Sequence, residues 1–195
     1  MLEFLEDEHL YLVDGIIVPS VTQILGMIFP DKYKNVDKEV LNKKAEFGTK
    51  GHAIIEHLDL NNTDIVENLN LMGYSEELIQ CIEEYINLCK TFKIEPLEHE
   101  KKVSYEYLYA GTLDLIANVD GIESLCDIKF TYKCDKEYLS WQLGMYALAL
   151  GKEFKKYYCI WLKKGCLGKL VEIKPKTKEE ILKKLEELGI WIYYV

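Results

Sequence analysis

The sequence predicts one α/β domain, a mixed central β-sheet flanked by helices with a helical N-terminal half. Three observations predict it. The chain is 195 residues long, enough to bury one good core and cramped for two. Its hydrophobic fraction of 49% and aromatic fraction of 12% are those of a folded protein. Capping and turn signals order it as a helical first half, three strands, a helix, two strands and a helix.

Residues 2–18 read as two short strands turned at Asp14-Gly15, a two-residue hairpin signal. Ser20 follows Pro19 and caps a helix through about Met27. A longer helix runs from about Asp37 to Leu60, and another from Ser75, with Glu76 and Glu77 in its first turn, to about Phe92. Strands follow at about 97–107, 110–119 and 122–130. A helix from about Asp135 to Leu150 ends at Gly151, a natural C-cap. Strands at about 154–163 and 167–174 lead to a final helix over about 177–189. The single domain spans 1–195, with hairpin and helices over 1–95, sheet and helix over 96–174, and a C-terminal helix over 175–195.

Composition narrows the function. The formal charge of −9 argues against simple coating of nucleic acid, which usually comes with a basic domain. All 24 basic residues are lysines, so phosphate contacts would use point charges, backbone N–H groups or metal rather than bidentate forks. Lysines concentrate at Lys32, Lys34, Lys38, Lys43, Lys44 and Lys50, and again from Lys152 to Lys169. Such clusters are equally a solvated face or a DNA path, and Lys43, Lys44 and Lys50 are the candidate channel residues. The six cysteines include no CxxC pair, which points to buried free thiols in a reducing compartment rather than a zinc or iron–sulfur site. No apolar run approaches the ~20 residues that span a bilayer, and the acidic N-terminus lacks a signal-peptide layout. A cytoplasmic protein with no membrane partner is expected.

The most informative stretch is GTLDLIANVDGIESLCDIKF, residues 111–130. Asp120-Gly121 is a two-residue turn, so Val119 should pair with Ile122 and, counting outward, Asp114 with Asp127. Side-chain alternation then groups Leu113, Leu115 and Ala117 with Ser124, Cys126 and Ile128 on an apolar face. Thr112, Asp114, Asp127 and Lys129 occupy the other. Opposed carboxylates ~4.5–5.5 Å apart destabilise a sheet unless a cation bridges them, and oxygen ligands suit Mg²⁺ or Mn²⁺. Lys129, on the same face, could hold a nucleophilic water or offset charge on a phosphate. The bland alternative is an exposed hairpin face with a solvated Asp127–Lys129 pair.

Those residues resemble the signature of the PD-(D/E)XK nuclease superfamily. Asp114 in GTLD is similar to its first acidic ligand, and Asp127-Ile128-Lys129 to its (D/E)xK element. Upstream, Glu46-Phe47-Gly48-Thr49-Lys50-Gly51-His52 resembles the GxxxH segment of the RecB-like branch. Downstream, Gln142-Leu143-Gly144-Met145-Tyr146 resembles that branch's QxxxY helix motif. Glu100 resembles an acidic residue on the preceding strand, and the PSVTQIL opening is similar to phage-type exonucleases. The matched region spans roughly residues 19–150.

The resemblance implies a restriction-endonuclease-like core and metal-dependent hydrolysis of DNA, an exonuclease of recombination, repair or phage DNA processing in a bacterial or phage-infected cell. It implies one or two Mg²⁺ or Mn²⁺ ions held by His52, Asp114, Asp127 and the Ile128 carbonyl, with Glu100 as a further ligand or neighbour of the ligands. It implies catalytic roles for Lys129, Asp114 and Asp127, and a DNA-binding or lysine-orienting role for Gln142 and Tyr146. Lys129 is expected to lose its proton readily beside the cations. The cysteine positions do not match those that hold an iron–sulfur cluster in some relatives, so no cluster is expected. No GxxxxGK[ST] phosphate loop is present, so DNA ends, single- or double-stranded, must come pre-formed or from a recombination partner. A homo-oligomer is another expected partner. Two rival readings remain: a nuclease fold that binds DNA or protein without cutting, and a structure-specific endonuclease.

Overall fold

The computed structural model describes residues 1–6, 8–61, 69 and 72–191. The chain opens with an antiparallel sheet of β1 (Leu2–Leu5), β2 (Leu10–Val13) and β3 (Ile16–Val18), in that order. Asp14 and Gly15 turn β2 into β3 with φ of 49° and 79°, the twin positive values of a type I′ turn. The expected first strand is two strands, since the chain also reverses ahead of β2, where His9 takes φ 56°. No glycine announces that reversal.

Helix α1 (Val21–Ile28) starts in a capping box: the Gln23 N–H donates to Ser20 Oγ, and the Ser20 N–H donates to Gln23 Oε1. Helices α2 (Lys38–Asn61) and α3 (Glu76–Phe92) follow, the latter capped by Ser75. Then come β4 (Ile94–Tyr105), β5 (Tyr109–Val119) and β6 (Ile122–Lys129). Helix α4 (Lys136–Leu150) has Asp135 at its N-cap and Gly151, φ 62°, at its C-cap. Strands β7 (Lys156–Trp161) and β8 (Lys169–Glu172) precede α5 (Lys178–Glu187), which Thr177 and Glu180 cap reciprocally.

The second sheet has the order β4-β5-β6-β7-β8. Its pairings are antiparallel except β6–β7, which is parallel and needs the α4 crossover to return the chain. The sheet is buried on both faces. Ile116, Leu125 and Cys159 pack with α1, α4 and α5, whereas their neighbours Leu115, Cys126 and Ile160 pack with α2 and α3. That split is the period of two expected of strands. Leu113 departs from it: it joins the α1–α4 side, not the side of Leu115 and Ala117. The β5 ladders pair Leu113 and Leu115 but not Asp114 between them, so regular alternation does not run through Asp114.

Candidate metal centre

Three elements meet at the centre. Helix α2 carries His52, and its approach to the sheet is set by Gly51. A Cβ there would lie 2.3–2.7 Å from three atoms of the Phe130 ring, so only glycine allows this contact. The Phe130 ring in turn stands edge-on to His52, with centroids 5.6 Å apart. Strands β4 and β5 bring Glu100 and Asp114. His52 Nδ1 lies 3.6 Å from Glu100 Oε1 and 3.9 Å from Asp114 Oδ2. One ligand atom from each residue falls within 4.8 Å of the others. Octahedral ligands ~2.1 Å from an ion are ~3 Å apart when adjacent and ~4.2 Å when opposite. The spacing and the donor set, one imidazole and two carboxylates, therefore fit a divalent cation.

Asp127 does not join that triad. The β5–β6 ladder stops at Leu115↔Cys126, one rung short of the expected Asp114–Asp127 pair. Instead Asp114 Oδ2 accepts the Ile128 N–H at 2.7 Å. A carboxylate has replaced the backbone partner, which fixes Asp114 against β6. Asp127 is 1% exposed; its Oδ1 accepts from Lys129 Nζ at 2.7 Å, and its Oδ2 has no partner. An orphaned carboxylate oxygen beside a cation-shaped triad calls for a ligand.

The electrostatics follow from burial and crowding. Burial pushes the Asp127 carboxyl up to about 6, Asp114 adds to this, and Lys129 opposes it. Burial alone would lower the Lys129 ammonium, but Asp127 and Asp114 outweigh it and raise it. The metal-free chain thus holds the Lys129 proton more tightly, opposite to the direction expected beside bound cations. His52 shows the same contest: burial lowers it, Asp114 and Glu100 win, and the imidazole is raised.

Gln142 and Tyr146 sit one turn apart on α4, both buried. Gly111 makes room for Tyr146, since a Cβ there would lie 2.9 Å from its ring. Burial, with Asp114 nearby, holds the Tyr146 hydroxyl protonated far above its usual range. Gln142 Oε1 has no hydrogen-bond partner. Tyr146 lies near enough to Asp114 and Lys129 to feel both charges. Lys43, Lys44 and Lys50 are exposed on the part of α2 that precedes His52. Lys43 pairs with Glu39 and Lys50 with Glu46, each one turn away.

One cluster was missed from sequence. His99 Nε2 lies 2.9 Å from Asp59 Oδ2, both side chains 6% exposed, and Tyr85 donates to the same Asp59 oxygen at 2.5 Å. The available signal was spacing: Asp59 is seven residues after His52, on the same helix face.

No protein-family profile matches the chain, and none of the curated proteins matches it. Among solved structures, the crystal structure of SSO0001 superposes with a TM-score of 0.50 at 16% identity, covering 87% of this chain and 73% of that one. The likeness is one of fold. No described helix is long and apolar enough to cross a membrane.

Proposed function

We propose that the chain is a divalent-metal-dependent deoxyribonuclease with a restriction-endonuclease-like core, a member of the PD-(D/E)XK superfamily near its RecB-like and phage exonuclease branch. The observation that carries the reading is the convergence of His52, Glu100 and Asp114 within 4.8 Å beside the ion pair of buried Asp127 with half-buried Lys129. Residues far apart in sequence meet at one place, which supports this reading.

His52, Glu100 and Asp114 would hold Mg²⁺ or Mn²⁺, and the imidazole nitrogen favours Mn²⁺ of the two. A bound ion supplies an acidified water and offsets charge on the phosphate oxygens. Asp127 anchors Lys129, whose ammonium places a positive charge against the developing negative charge of the phosphate. Tyr146 and Gln142 wall the site from α4 and limit the orientations of Lys129.

The test is degradation of linear and circular DNA with Mg²⁺ or Mn²⁺. Products that EDTA abolishes and that Lys129→Ala cannot form are expected. Cleavage that survives EDTA, or a wild-type protein that yields no products, overturns the reading. Cutting of circular substrates would identify a structure-specific endonuclease instead of an exonuclease. The charge of −9 and the lysine–glutamate pairs along α2 favour one rival, a silent nuclease fold that binds a partner. Metal-independent binding without products is its signature.

A further inference from the structure

Strands β6 and β7 run parallel, with Lys129 opposite Trp161 at the last rung. The loops that leave them emerge side by side at the carboxyl end of the sheet, where α/β proteins place their ligands. The loop after β6 is pinned on both sides of Tyr132. Phe130 lies against Gly51 and His52. The Thr131 carbonyl accepts the Trp161 indole N–H at 2.7 Å, and the Thr131 hydroxyl donates to the Lys133 carbonyl at 3.0 Å. Tyr132 is nevertheless 78% exposed.

A pinned loop that holds a large aromatic ring out in water has already met the ordering cost of a binding surface. From the loop after β7, Lys163 sets its Nζ 4.1 Å from the centroid of the Tyr132 ring. Among the described residues Lys163 makes no ion pair, so its charge is not neutralised by a carboxylate. Tyr132 is three residues beyond Lys129, a reach of at most ~10 Å along the chain. An exposed ring with an ammonium over one face and no carboxylate to neutralise it is the combination that binds unpaired nucleotides, the open face of the ring taking the base and the cation the backbone.

We propose that Tyr132 and Lys163 form a stacking platform for an unpaired nucleotide beside the candidate metal centre, so that the protein engages single-stranded nucleic acid. Its place in the reaction rests on the nuclease reading; the binding itself does not. The flat face accepts any base and excludes a base still stacked and paired in a duplex.

The experiment measures anisotropy of a fluorescein-labelled oligothymidylate in EDTA, where nothing is cleaved, against an abasic strand of equal length. The wild type should bind oligothymidylate about tenfold more tightly than the abasic strand, the scale of one base stack. Tyr132→Ala should lose that preference while binding the abasic strand as the wild type does, and Tyr132→Phe should keep it. Lys163→Gln should weaken both strands and lower the salt slope by about one. An oligouridylate arm identifies the strand chemistry, and Tyr132-dependent binding of either strand supports the platform. Equal binding of oligothymidylate by wild type and Tyr132→Ala, or no binding by the wild type, overturns it. Loss of cleavage with this binding intact would count against the nuclease reading alone.

Discussion

His99 and Glu100 are consecutive on β4, yet both side chains reach α2: His99 meets Asp59 at 2.9 Å and Glu100 meets His52 at 3.6 Å. Strand alternation would send neighbours to opposite faces. Glu100 escapes that rule with φ 43°, a left-handed conformation that costs a non-glycine residue about 1–3 kcal/mol and persists only where the surroundings enforce it. Two helix turns separate His52 from Asp59, so the pair of contacts clamps one face of α2 onto β4.

The clamp makes a stability prediction. Asp59→Ala removes the acceptor of the Tyr85 hydroxyl and the carboxylate beside His99 Nε2, which lies close without an aligned hydrogen bond, at an expected cost of about 1–3 kcal/mol. Tyr85→Phe removes one hydrogen bond and should cost only about 1 kcal/mol. Urea unfolding midpoints compare them. An Asp59→Ala variant no weaker than Tyr85→Phe would show that Asp59 holds nothing else in place. With the clamp loosened, Mn²⁺ affinity should fall as well.

Lys129→Ala should destabilise the protein as well as abolish cleavage, in a pH-dependent way. Asp127 titrates at about 6 in the folded chain, above an ordinary aspartate near 3.9. The folded state therefore retains a proton that the unfolded state has released, and stability falls as pH rises through the window from about 4 to 6. Without Lys129 the opposing attraction disappears and the carboxyl moves further up, extending the loss toward neutrality. Lys129 itself, raised in the fold, contributes stability present below the ordinary lysine range and lost only above it. The variant should fall short of wild type by less at pH 4, where Asp127 is protonated, than at pH 8, where the deficit reaches about 3 kcal/mol, the low end for an unpaired buried charge because Lys129 keeps 23% exposure. Denaturation at the two pH values measures this; a deficit of the same size at both refutes it.

The legibility of this chain followed from how local each signal was. Ser20, Ser75, Asp135 and Thr177 cap helices where the sequence places them, because a cap depends on residues within one turn. Val119 pairs with Ile122 across the Asp120-Gly121 turn for the same reason. The register drawn from that turn held as far as Leu115↔Cys126 and failed at Asp114, where the Ile128 N–H takes a side-chain acceptor. Turn chemistry and strand period within 111–130 do not encode that exchange, which is a side-chain contact and not a rung of the ladder. The Asp59–His99–Tyr85 cluster joins three elements through long-range packing, and no periodicity within one segment exposes it. Glu100 was legible only as an acidic residue at a suitable spacing; its left-handed turn was not.

Cation binding should protect the fold and depend on pH. A ligand at one hundred times its dissociation constant adds about 2.7 kcal/mol, so saturating Mn²⁺ should raise the melting temperature of wild type but not of Asp114→Asn or Glu100→Gln. His52 is raised in the metal-free chain. Its proton therefore contributes stability that is full below the ordinary histidine range and is lost as pH rises through its raised value. The same proton competes with the cation for the ring. The Mn²⁺-induced shift should grow from pH 6 to pH 8. A shift that ignores pH, or persists in His52→Ala, would remove His52 from the ligand set.

The two glycines ahead of His52 should answer oppositely to alanine. Gly48, the glycine of the GxxxH resemblance, has nothing within 4 Å of where its Cβ would stand. Placed inside α2, Gly48→Ala should stabilise by up to ~1 kcal/mol through helix propensity alone. Gly51 lies outside the GxxxH spacing, yet its Cβ would overlap three atoms of the Phe130 ring. That ring has little retreat, since it packs edge-on against both Phe47 and His52 and its backbone follows directly on Lys129. Gly51→Ala should therefore cost about 1–3 kcal/mol as overpacking, and the displaced ring should tilt His52 away from Glu100 and Asp114. Urea midpoints and Mn²⁺ titration of the two variants measure both effects. If Gly51→Ala binds Mn²⁺ as tightly as Gly48→Ala does, the Phe130 contact does not set the position of His52, and the Asp59–His99 pair and the packing of Ile54 and Ile55 hold the helix to the centre.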